Sequence, residues 1–135
     1  MQLRFVGCGD ALGSGGRFNT CFHVTGDRVN FLIDCGASSL PALKRLGIAR
    51  GAIDLVLITH FHGDHFAGLP FLLLDAQFTR RSRPLVIAGP QGIETRIDPF
   101  QNVLQHGRDY SRFAKLKHSG RKPLTRSGKR PNVPP

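Results

Sequence analysis

The chain has 135 residues, 40% of them hydrophobic, which suffices for one domain with a packed core and leaves no room for a second. No run approaches the roughly 18 apolar residues of a membrane span, and the opening "MQLRFVGCGDALG" lacks the apolar stretch of a signal peptide, so a cytoplasmic protein with no membrane partner is expected. The net charge of +10 would suit a nucleic-acid surface, but it is uneven: residues 1–103 carry 10 Lys+Arg against 8 Asp+Glu, and residues 104–135 carry 9 against 1.

In chain order, "LRFVG" (Leu3 to Gly7) reads as a strand, and the glycine-rich "GCGDALGSGGRFN" after it as a loop. Thr20 to Val24 and Val29 to Ile33 are β-rich runs separated by Gly26-Asp27, the composition of a hairpin. "SSLPALKRLG" predicts a short amphipathic helix with Ser38 or Ser39 as N-cap and Gly47 as its stop. Ile53 to Thr59 is almost continuously apolar, the pattern of a strand covered on both faces. A buried helix over Gly68 to Phe78, a charged linker Arg80 to Pro84 and a buried strand Pro84 to Pro90 follow. A helix over Gln91 to Gln105 should be interrupted or restarted at Pro99.

From about residue 105 large apolar residues become scarce, and four of the nine prolines fall in the last thirteen residues. Such a segment cannot offset its ordering entropy, so the chain divides into a domain over 1–104 and a basic, disordered tail over 105–135. Strands alternating with helices give an α/β class, with a mixed sheet because of the opening hairpin. Cys8, Cys21 and Cys35 have no CxxC spacing and read as buried thiols in a reducing compartment; zinc capture by Cys8 or Cys35 is the minor alternative.

"THFHGDHFAGLP", Thr59 to Pro70, carries the chemistry. His60 and His62 form an i, i+2 pair that places both rings on one side of an extended chain, and Gly63 permits a bend that returns Asp64 and His65 toward them. Imidazoles and carboxylates are the natural ligands of zinc, and these four follow a buried strand, at the edge where open α/β sheets bind ligands. The free N–H groups of the next helix would favour an anion near Ala67 to Leu69.

This stretch resembles the HxHxDH signature of the metallo-β-lactamase-fold hydrolases. "FLIDCG" (Phe31 to Gly36) looks like the Asp-x-Gly element that precedes it there, and "FVGCGDALGSGGRFNTCF" is similar to the opening of the ribonuclease Z-like and phosphodiesterase-like branch. The resemblance implies two zinc ions, the first on His60 and His62 and the second on Asp64 and His65, with Asp64 among the catalytic groups and Asp34 supporting the metal loop. It implies hydrolysis of a phosphodiester, RNA or a cyclic nucleotide, by a metal-bridging hydroxide. It also implies that this chain is the N-terminal half of an αββα sandwich, and the loss of periodicity near residue 105 suggests a fragment from a truncated or frameshifted reading frame. The family's later ligands, a histidine, a bridging aspartate and a final histidine, have no clear counterpart: His106, His118 and Asp109 read as tail residues. One sheet face would lack its partner and be prone to self-association. Two other readings compete, a nucleic-acid-binding module acting through the basic tail and an inactive truncated product.

Overall fold

The computed structural model describes residues 1–105, 111 and 113–118. Six strands form one sheet in sequential order: β1 (Gln2–Gly7), β2 (Cys21–Gly26), β3 (Val29–Ile33), β4 (Leu55–Leu57), β5 (Leu85–Gly89) and β6 (Ala114–His118). β1, β2 and β3 are antiparallel; β3 through β6 run parallel. Parallel neighbours need crossovers, supplied by α1 (Ser39–Arg45), by α2 (Gly63–Phe66) with α3 (Leu69–Phe78), and by α4 (Ile93–Gln105).

The sequential order has a consequence. Right-handed crossovers that always step in one direction lay every helix on the same face of the sheet. The register bears this out: Leu32, Val56 and Ile87 lie side by side, each fully buried, and Leu116 continues the row on β6. The alternate row, Phe31, Leu55 and Val86, is only half-buried, and Leu3 and Phe5 of β1 are 53% and 64% exposed. The apolar run of β4 is thus covered on one face, not on both as expected.

Other expectations need correction. β6 lies inside the segment read as structureless: Ala114 is buried, Leu116 and Phe113 pack on the core, and Lys115 and Lys117 point to the exposed side. Its Ala-Lys-Leu-Lys alternation is that of a half-buried strand. Residues 119–135 of the expected tail, with 106–110 and 112, lie outside the described residues. Pro99 does not interrupt α4. The carbonyl that loses its bond belongs to exposed Thr95, which water can serve, and Pro99 is itself exposed. Ser38 precedes α1, but its hydroxyl gives and takes hydrogen bonds with Asn19 and caps no helix N–H.

At the amino edge of the parallel strands, the Arg81 guanidinium donates to the carbonyls of Arg50, Gly51, Ile53, Arg83 and Pro84. Asp75 of α3 holds Lys44 at 3.0 Å and Arg50 at 2.8 Å. Burial alone would raise the Asp75 carboxyl; the two cations outweigh it and hold it below the usual carboxylate range.

Candidate metal centre

β4 hands the chain to the histidine loop at the opposite, carboxyl edge, and β3 ends beside it at Asp34. Asp34 is buried and adopts φ 60°, a left-handed conformation uncommon for a residue with a side chain. That turn sends the backbone of Asp34, Cys35 and Gly36 between β4 and α2: Asp34 N–H donates to Leu57, Cys35 N–H to the His65 carbonyl, and Gly68 N–H to the Cys35 carbonyl. The approach explains two glycines. A side chain at Gly36 would strike the Asp64 carbonyl oxygen, and one at Gly68 the Gly36 carbonyl oxygen.

The same threading removes the expected anion cradle. Ala67 N–H donates to Gly63 and Gly68 N–H to Cys35, and Leu69 is fully buried, so this helix start offers no open anion site.

The Asp34 carboxylate sits under the histidines. Oδ1 accepts the Thr59 N–H at 2.8 Å, and the Thr59 hydroxyl lies 2.9 Å from both carboxylate oxygens. Oδ2 takes His65 Nδ1 at 2.7 Å, and Thr59 Oγ1 is 2.9 Å from His60 Nδ1. With Asp34 as the acceptor, the network is satisfied when His65 Nδ1–H donates to Oδ2 and the Thr59 hydroxyl donates to Asp34 while accepting from His60 Nδ1–H. In the neutral form of each ring this arrangement leaves Nε2 as the atom that can bind a metal.

The rings are gathered. His60 lies tilted by 45° against His65 with centroids 4.1 Å apart and meets His62 edge-on at 4.7 Å. His65 Nε2 faces Asp64 Oδ2 at 3.4 Å, longer than the 2.7–3.2 Å of an N–H···O hydrogen bond. A cation between a neutral His65 Nε2 and the Asp64 carboxylate would bridge the two. Bonds of roughly 2.0–2.1 Å in a tetrahedron have an edge of about 3.3–3.4 Å, which is this separation. Among the described residues, no three His, Cys, Asp or Glu side chains form a closed metal-holding group. The donors fit zinc in kind and along the His65–Asp64 edge, and fall short in number.

Phe61 packs edge-on against Phe66 and carries the Arg96 guanidinium 4.6 Å above its ring, tying α4 to the loop. His118 ends β6 at this edge, opposite Gly89 on β5, rather than in a structureless tail; His106 and Asp109 lie outside the described residues. Of the cysteines, Cys8 is exposed, against expectation, while Cys21 and Cys35 are buried beneath the loop. Burial pushes the Cys21 thiol up to about 12 and the Cys35 thiol well above its ordinary value, so neither favours a metal-binding thiolate. Thr59 is the group that sequence reasoning missed; a threonine ending a β-branched strand carries no signal of its hydroxyl's use.

Residues 1–118 match the family described as Anti-Pycsar protein Apyc1. Ribonuclease Z of Agathobacter rectalis is 44% identical over 87 residues, covering 64% of this chain and 29% of that protein. Ribonuclease Z of Methanococcus maripaludis is 34% identical over 110 residues, 82% of this chain and 36% of its relative. Human tRNase Z, short form, superposes with a TM-score of 0.72 at 31% identity, over 86% of this chain and 43% of that one. The chain thus spans about a third of the length of these curated relatives.

Proposed function

The chain belongs to the Anti-Pycsar protein Apyc1 family, in the ribonuclease Z-like branch of the metallo-β-lactamase fold, and from that premise we propose that it is a zinc-dependent hydrolase of phosphodiesters, RNA or a cyclic nucleotide. His60, His62, Asp64 and His65 would hold the metal, and zinc there supplies a Lewis acid and activates water near neutral pH. The rest falls to the chain. Asp34 and Thr59 engage Nδ1 of His65 and His60, which leaves Nε2 of each for the metal; Asp64 faces His65 Nε2 across a 3.4 Å gap. The buried Asp34–Gly36 segment fixes the loop against the sheet, so the donors need little reordering when the ion arrives.

One observation carries this reading: the buried Asp34 carboxylate holds His65 Nδ1 directly and reaches His60 Nδ1 through the Thr59 hydroxyl, with Asp64 beside His65. With no closed three-donor group among the described residues, zinc is expected to be held more weakly than in a three-ligand site. The uncovered apolar face also favours association with another apolar surface.

Hydrolysis of bis(p-nitrophenyl) phosphate by the zinc-loaded protein tests the activity. Turnover should be lost in both His60→Ala and His62→Ala. Turnover that survives these substitutions would remove the assignment of the site, and no turnover in the zinc-loaded wild type would favour the competing reading of a chain without catalysis.

A further inference from the structure

A second concentration of charge lies at the amino edge of the parallel strands, the length of β5, roughly 16 Å, from the metal loop. There the turn at Arg50 before β4 and the loop from α3 to β5 form the walls of an open cleft of about 400 Å³. Four arginines line it, Arg50, Arg80, Arg81 and Arg83, against one carboxylate, Asp75. The carboxylates at hand are already engaged, Asp75 by Lys44 and Arg50, and Asp54 by Arg83. Arg81 spends its five N–H groups on backbone carbonyls, which satisfies its donors and leaves its charge without a counterion. The same bonds clamp the two walls together, so the cleft is formed before a ligand arrives. Arg80 sits in the left-handed turn that ends α3, at φ 51°, where Arg81 N–H returns to the Ala76 carbonyl and Arg80 N–H to that of Gln77. Glycine is the usual residue at such a turn; here it is an exposed cation. Phe78, the last residue of α3, stands 74% exposed two positions before it. In an αββα sandwich the second half stacks on the bare sheet face and the helices remain the outer layer, so the cleft and Phe78 lie on a side that the fold leaves outside.

We propose that this cleft binds a single nucleic-acid strand, with phosphates held by Arg80 and Arg83 beside the fixed charge of Arg81 and a base stacked on Phe78. The guanidinium fork matches phosphate oxygens, and a ring beside a basic cleft is the pairing that tracks a strand: the cations take the backbone and the ring takes a base face. The arginines line a cleft rather than a flat surface, which suits a strand better than an anionic bilayer. The inference concerns binding alone and stands whether or not the metal loop hydrolyses anything. It is also separate from the basic residues beyond position 103, because every group it uses lies between residues 50 and 83.

Fluorescence anisotropy of labelled octauridylate with the metal-stripped full chain tests this, since without metal the histidine loop does not compete. Saturable binding is expected for wild type. Arg80→Ala combined with Arg83→Ala should weaken it at least about 10-fold and flatten the dependence of log affinity on log salt by about 1.4, the worth of two phosphates on a single strand. Phe78→Ala should weaken it about 10-fold with the salt dependence unchanged, as loss of a stacked base does. Arg121→Ala combined with Lys122→Ala removes the same charge from the terminal segment and should cost less than about threefold. Arg80, Arg83 and Phe78 are all exposed, so the variants keep the fold, and circular dichroism checks this. No saturable binding by wild type, full affinity in the Arg80/Arg83 variant, or equal losses in the two double variants overturns the proposal. Loss in the Arg80/Arg83 variant without loss in Phe78→Ala overturns it as well, because a free phosphate ion would give that result. Capture of wild type by phosphatidylserine vesicles in place of octauridylate overturns it in favour of a membrane surface.

Discussion

Asp34 accepts from three groups at once, and the cost of its position is visible in its backbone. A left-handed φ on a residue with a Cβ costs on the order of 1–3 kcal/mol and persists where the surroundings enforce it. Here the hydrogen bonds to Thr59, His65 and Leu57 do so. If Thr59 fixes the His60 tautomer, Thr59→Val should weaken zinc binding about 10–100-fold, as loss of a group behind a metal ligand does. Thr59→Ser should bind like wild type, since it keeps the hydroxyl. Isothermal titration reads both, and equal affinity in all three proteins would show that the hydroxyl does not act through His60. That His60, His62, Asp64 and His65 lie together could be read from sequence because these four side chains fall within six residues; the place of Asp34 beside them came from the resemblance. Thr59 was not, because its use depends on β3 ending alongside β4, a contact 25 residues away in sequence.

At the scale of elements, hydrophobic period and turn chemistry placed the hairpin, α1, α3 and β5 close to where they lie. They failed where tertiary context decides. β6 is five residues with two lysines in a basic stretch, so composition argued against it, and only pairing with β5 makes a strand of it. The charged stretch Arg80 to Pro84 reads as a solvated linker, yet Arg81 closes the chain around its own carbonyls. The Asp75 cluster joins α1 and the turn at Arg50 to α3 and makes a pH-dependent contribution. Because its folded carboxyl titrates below the unfolded value, that contribution is complete above roughly pH 4 and is lost as pH falls through the lower folded value. Asp75→Asn should cost about 1–2 kcal/mol at pH 7, by urea denaturation, and the gap from wild type should close on acidification toward pH 3. A gap unchanged with pH would show that the side chain acts through packing, not charge.

For the whole molecule, strand order governs where the site lies. Stepping always one way across the sheet puts the helices on one side, the metal loop at the carboxyl edge and an apolar surface on the other side. The α/β class and the mixed sheet followed from the alternation of elements, and the uncovered face from the resemblance; neither showed what would cover it. Among the described residues no helix is long and apolar enough to cross a membrane. The net charge of +10 resides mostly beyond residue 103, so it speaks little to the site. Above all, imidazoles 60, 62 and 65 with carboxylate 64 should gather a divalent cation. Zinc titration of the metal-stripped full chain tests this most directly: saturable binding of at least one ion per chain is expected, abolished in His65→Ala and weakened in His60→Ala. No saturable binding by the folded wild type, or binding unchanged by both substitutions, would contradict it.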